Sequence, residues 1–155
     1  DLSQLDWPEP SRVGDLASAR LLPVRQALGQ FLSGFEMRGL CDNLDSVTVR
    51  HCEATSGEGI RLMEWLRACL GECEKCGDST TLEAKYSVEN CGECESDCSL
   101  ALEFNYSDGR YFKWRKFTEG SMGEIEASLG KSEEKITTRV KPLGAEQTIA
   151  EALFF

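Results

Sequence analysis

The sequence predicts an α+β domain in which N-terminal helices pack on a largely antiparallel sheet of about five strands, with a cysteine-bound knob set into it. Three observations point there. Apolar residues recur at helical spacing before position 40, they alternate at strand spacing in several later segments, and six of the eight cysteines fall between positions 69 and 98. The 155 residues suit one domain, 1–155, with a helical part over 10–40, a cysteine-rich insertion over 69–98 and a mobile linker over 118–134. A chain of this size buries about 68–70% of its unfolded surface, so its core holds without covalent staples and the cysteines need a separate reason.

Taken in order, Asp1 to Pro10 is a polar arm with prolines at 8 and 10, and Ser11 is the candidate cap of the first helix. Val24, Leu28, Phe31, Leu32 and Phe35 form one apolar stripe that runs to about Arg38, and Pro23 opens a second helix where its missing N–H is harmless. Asp45 to Cys52 alternates, with Val47 and Val49 opposed to Thr48 and Arg50, and reads as a strand. The loop at Ser56 to Gly59 opens a helix with Ile60, Met63, Leu66 and Leu70 on its core face. Thr80 to Val88, Ser99 to Tyr106 and Arg110 to Phe117 alternate as a meander, the last two joined through the hairpin signal Asp108-Gly109. Met122, Ile125 and Leu129 suggest a weak helix inside the linker. A strand from Ile136 to Lys141, a break at Pro142 and Gly144, and a helix from Ala145 with Ile149 and Leu153 complete the chain.

Seventeen Lys and Arg against 27 Asp and Glu leave a net charge of -10, which argues against general nucleic-acid binding because phosphate neutralisation supplies most of that affinity. A basic or neutral protein partner fits better. No apolar run approaches the ~18–20 residues needed to cross a bilayer. The chain starts at Asp1 rather than Met, as a mature form or a domain cut from a longer protein would.

The cysteines carry the one concentrated chemical signal. Cys73 and Cys76 form a Cys-x2-Cys pair, and fourteen residues separate it from a second pair at Cys91 and Cys94, a spacing that suits a structural zinc site with four thiolates. The stretch Cys73-Glu-Lys-Cys76-Gly resembles the knuckle of zinc ribbons over about ten residues and implies no particular family. The same residues also nest symmetrically, Cys69 with Cys98, Cys73 with Cys94 and Cys76 with Cys91, as three disulfides would. Glu72, Glu74, Asp78, Glu93, Glu95 and Asp97 crowd the site, and acidic neighbours raise a thiol pKa and oppose the thiolate that a metal needs. Cys41 and Cys52 flank the first strand as small buried residues, or pair with each other or with Cys69 and Cys98; with His51 they complete the set of possible further ligands or bridge partners.

The remaining candidates are weaker. His51 is the single histidine, and as a strand neighbour of Cys52 it points the opposite way, so the two make no nucleophile–base dyad. Thr55 to Gly59 could hold an anion at a helix start, but Glu58 would repel phosphate and ordinary capping explains it. Arg110, Lys113, Arg115 and Lys116 with Trp114 form a basic aromatic strand that could bind an acidic peptide at a sheet edge, or simply guard that edge with Phe112 and Trp114 turned inward. Asn105-Tyr106-Ser107 is a glycosylation acceptor sequence.

The sequence thus predicts a non-catalytic protein-interaction domain stabilised by zinc at the paired cysteines. The alternatives are a secreted, disulfide-stabilised binding protein or effector and a thiol-dependent enzyme. Zinc implies an intracellular protein and disulfides a secreted one.

Overall fold

The structure, a computed structural model, describes residues 15–74, 84–92, 99–117, 122–130, 133–140 and 143–154. The arm over 1–10, Ser11, Cys76, Cys94 and Cys98 lie outside these residues, as do the side chain of Cys73 and the first part of the expected strand over 80–88.

Three helices open the described chain. Asp15 caps α1 (Leu16–Arg20), its carboxylate accepting the Ala17 N–H at 2.9 Å and the Ser18 N–H at 3.4 Å. Pro23 sits in the first turn of α2 (Leu22–Leu32), as its fixed φ predicts, and α3 (Met37–Cys41) follows. Strand β1 (Leu44–His51) leads through a short 3-10 turn into the long α4 (Ser56–Glu74), and β2 (Lys85–Asn90) lies parallel to β1. Strands β3 (Leu100–Tyr106), β4 (Tyr111–Lys116), β5 (Met122–Ser128) and β6 (Glu134–Arg139) continue antiparallel, and α5 (Ala145–Phe154) ends the fold.

The α+β class therefore holds, with two corrections. The sheet has six strands in the order β2-β1-β3-β4-β5-β6, and its β1–β2 pair is parallel. The additional strand is β5, which occupies residues whose sequence reads as a linker with a weak helix. Met122, Ile125 and Leu129 carry a helical period, but Gly123, Ile125 and Ala127 carry a strand period in the same window. Pairing with β4 and β6 on both sides selects the second, because two ladders of backbone hydrogen bonds and buried Ile125 and Ala127 outweigh a weak local preference.

One face of the sheet is the core. Val47, Val49, Leu102, Phe104, Phe112 and Trp114 point to it and meet Val24 and Leu28 of α2 and Leu62, Met63, Leu66 and Leu70 of α4. The Phe112 ring centre lies 5.3 Å from that of Phe104 and 5.7 Å from that of Phe31, which ties the sheet centre to α2. Ile60, expected in the core, is exposed, and Leu62 takes that place; Ile149 and Leu153 of α5 are exposed as well.

Two side chains lock the ends of β3 and β4 to α3. The Tyr106 hydroxyl donates to the Leu40 carbonyl at 2.9 Å. Arg110 donates to the carbonyls of Gly39 and Asp42 while its guanidinium covers the Tyr106 ring at 4.5 Å, so it satisfies carbonyls left open at the helix end. Gly109, at φ +87°, makes the tight β3–β4 turn that brings Arg110 there.

At the other end of β1, His51 is buried against α4. A Cβ on Gly59 would stand 2.8 Å from His51 Cδ2 and 2.9 Å from its Cβ, closer than such atoms approach. Gly59→Ala is expected to destabilise the fold by about 1–2 kcal/mol, in the range of an overpacked core site. Chemical denaturation of G59A, H51G and the double variant checks it: G59A should cost clearly less in the H51G background, which lacks both close atoms, and additive effects would refute the contact.

Candidate functional site

Among the described residues the second face of the sheet carries no helix, and it is built from charged residues in register. Across β2, β1, β3, β4 and β5, one row runs Glu89, Arg50, Ala101, Arg115 and Glu124, and its neighbour runs Ser87, Thr48, Glu103, Lys113 and Glu126. Strand alternation puts them on the side opposite the core, because Val49, Leu102 and Trp114 between them are buried.

Ion pairs knit the rows together. Arg50 reaches Glu89 and Glu103, both at 3.1 Å; Lys113 reaches Glu103 at 3.5 Å; Arg115 and Lys135 reach Glu124 at 2.5 and 2.8 Å. The hydrogen bond from Lys135, with a second from Arg115, holds the Glu124 carboxyl below its usual range, so this lattice persists at neutral pH and weakens as the pH falls into the acid range.

Two features make this face more than a solvated surface. Ala101 offers only a methyl between Arg50 and Arg115, and a depression of about 430 Å³ opens over it, walled by Arg50, Lys113, Arg115 and Glu103, with Cys91 also lining it. The charges also lie at different depths. Side chains of Lys113 and Arg115 are 49% and 50% exposed and those of Glu103 and Glu124 only 19% and 12%, whereas Glu89 at 51% stands as far out as Arg50 at 46%. Lys85, Arg50, Lys113, Arg115, Lys135 and Arg139 face this side against Glu89, Glu103, Glu124, Glu126 and Glu133, so cations and carboxylates nearly balance there on a chain of net charge -10.

The basic aromatic strand predicted from sequence is β4, and it is central in the sheet, between β3 and β5, rather than at an edge. Its residues therefore part company. Lys113 and Arg115 join the open face. Trp114 is 1% exposed in the core and cannot touch a partner, which agrees with the inward orientation expected for it and Phe112. Lys116 turns to the core side, where its amino group donates to Ser99 Oγ at 3.3 Å; burial and the nearby Arg20 lower its pKa, against Glu58. Arg110 is engaged with α3. Sequence reasoning missed Arg50, Ala101, Glu103 and Glu124, which become neighbours only through strand register.

Of the proposed metal ligands, Cys73, Cys76 and Cys94 have side chains outside the described residues, and Cys91 is a free, exposed thiol on the open-face side. Among the described residues, no three His, Cys, Asp or Glu side chains converge to hold a metal ion. Cys69 is likewise free and exposed on α4, its pKa raised by partial burial against the pull of Arg25. The nested pairs Cys69–Cys98 and Cys76–Cys91 are therefore not formed. Cys41 and Cys52 are disulfide-bonded. They stand at opposite ends of the eight-residue β1, about 25 Å apart, too far to bridge each other. This corrects their reading as plain buried residues, as a mutual pair or as partners of Cys69.

His51 is buried against α4, and its Nδ1 lies 3.0 Å from the Cys52 carbonyl oxygen. The Thr55–Gly59 segment is internally satisfied, with Thr55 Oγ1 donating to the Ser99 carbonyl at 2.5 Å and Glu58 paired to Arg20 at 2.8 Å. No helix among the described residues is long and apolar enough to cross a membrane. No protein-family profile matches this chain, and no curated protein is recognisably similar to it.

Proposed function

We propose that this chain is a non-catalytic protein-interaction domain, made rigid by disulfides, that presents the open face of its sheet to a protein partner. The observation that carries this reading is the depression over Ala101, ringed by three cations and three carboxylates held in an ion-pair lattice. A fixed charge pattern discriminates between partners at little cost in its own stability, since the ion pairs are formed before binding.

Disulfides support the fold better than zinc does. Cys41 and Cys52 are bridged, and the carboxylates around positions 72–78 and 93–97 oppose the thiolates of a four-cysteine zinc site while leaving neutral bridges unaffected. The reading thereby places the protein in an oxidising compartment, where Asn105, on the open side with its amide donating to Ser46 Oγ, could receive a glycan. The thiol-enzyme alternative loses its best nucleophile, because a bridged Cys52 has no thiolate to attack with.

Mass measurement of the native protein, before and after reduction and with metal content determined on the same sample, tests the reading. Bridged cysteines, two alkylatable thiols at Cys69 and Cys91, and no stoichiometric metal are expected. One zinc per chain, with all eight cysteines alkylatable after chelation, would instead establish the zinc-stabilised form.

A further inference from the structure

We infer that Asn105 carries an N-linked glycan, set at the uncharged end of the open face. The inference rests on the reading that the cysteines are oxidised, because asparagine is glycosylated in secreted chains, where disulfides also form, and it adds a covalent modification to that reading.

Asn105 is one of three asparagines, with Asn43 and Asn90, and it alone is followed two positions later by Ser or Thr. The acceptor tripeptide Asn105-Tyr106-Ser107 spans the end of β3 and the start of the turn into β4. Strand alternation decides what it presents. Tyr106 turns inward and anchors the tripeptide through its hydroxyl on the Leu40 carbonyl, while Asn105 lies half-buried on the open side and Ser107 is exposed. The Asn105 amide donates to Ser46 Oγ at 3.4 Å, a long and weak bond. An amide nitrogen has two hydrogens, so one can be replaced by a sugar while the other keeps the contact with Ser46.

The neighbours suit a sugar. Asn105 stands in a row that runs Ser46, Asn105, Tyr111 and Ser128 across β1, β3, β4 and β5, all uncharged, whereas the next two rows carry the ion pairs. Ser46 and Ser128 are short and leave space above the sheet, and hydroxyls there can both donate to and accept from sugar hydroxyls. Among the described residues no helix covers this face, so a chain of sugars has a way out to solvent. Ala101 lies four positions back along β3, about 13 Å away, so the glycan borders the depression without filling it. The Lys113–Glu103 pair in the adjoining row is left intact.

The covalent step exchanges one bond for another. Asn105 Nδ2 attacks the anomeric carbon of a sugar delivered as a lipid-linked diphosphate; a C–N bond forms as the C–O bond to the diphosphate breaks, and the amide gives up one proton. The acceptor sequence also requires the hydroxyl at position 107, so two different substitutions address one site.

The test uses the full chain secreted from a eukaryotic cell line, with intact mass measured before and after a peptide amidase that removes N-linked glycans and leaves aspartate at the acceptor position. The parent is expected to carry a mass excess that the amidase removes, with aspartate then found at 105 by peptide mapping. Asn105→Gln and Ser107→Ala should each lose the whole excess, and Ser107→Thr, which keeps the hydroxyl, should retain it. A secreted parent without the excess overturns the inference, as does an excess that persists in Asn105→Gln or Ser107→Ala. Alkylation of the same sample judges the cysteines separately: reduced, zinc-bearing cysteines in a chain glycosylated at 105 would overturn the disulfide reading and leave the glycan site in place.

Discussion

Phe112→Ala is expected to lower the unfolding free energy by about 3–5 kcal/mol, the loss typical of a large buried aromatic cut to a methyl. Phe112 is fully buried, sits on a central strand, and touches Phe104 on the neighbouring strand and Phe31 on α2, so no neighbour can collapse into the gap without moving a helix off the sheet. Lys113, the next residue on the same strand, faces solvent in the ion-pair lattice, and Lys113→Ala should shift stability by no more than about 0.5–1 kcal/mol. Guanidinium denaturation of the oxidised protein measures both. A Phe112→Ala loss as small as that of Lys113→Ala would mean that β4 is not the centre of the sheet.

Stability should also fall on the alkaline side because of Tyr106. Its buried hydroxyl donates to the Leu40 carbonyl, and burial pushes its pKa up from 10 to about 12, with Arg110 pulling the other way. The raised value belongs to the folded state, so the contribution is complete below about pH 10, where both states hold the proton. Above that the unfolded chain ionises first, and the stabilisation is lost as the pH climbs through about 12. A rise of this size corresponds to roughly 2.7 kcal/mol. Tyr106→Phe has no phenol to ionise and should show a flatter profile from pH 10 to 12. It should also be weaker at neutral pH by about 1 kcal/mol for the lost hydrogen bond. Tyr111, whose pKa is raised chiefly by Glu133, is present in both proteins and cancels in the comparison. Parallel profiles for the two proteins would rule out Tyr106 as the source.

Much of the fold was legible because its signals are local. Pro23 in the first turn of α2, the Val47–Val49 alternation of β1 and the Asp108-Gly109 turn each act through a few adjacent residues, and the structure keeps all three. Residues 118–134 mislead because two periods coexist there, and only the flanking strands choose between them. The candidate site was legible in part. The sequence marks Lys113 and Arg115 as a dense positive stretch, but it cannot separate them from Trp114 and Lys116 until β4 is known to be central rather than an edge.

The cysteines divide along the same line. Their clustering and their acidic neighbours are properties of the chain, and they narrow the chemistry to a structural metal or disulfides. Which sulfurs are bridged depends on distances across the fold: Cys41 and Cys52 are eleven positions apart in sequence but stand at opposite ends of a straight strand.

The sequence by itself determined α2, α4 and α5, most strands, the α+β class and the net charge, because periodicity and turn chemistry are written in consecutive residues. Tertiary structure alone decided the strand order and the make-up of the open face. Arg50, Ala101 and Arg115 come from three separate strands, and only the hydrogen-bond register of β1, β3 and β4 sets them side by side among the carboxylates that pair with the arginines.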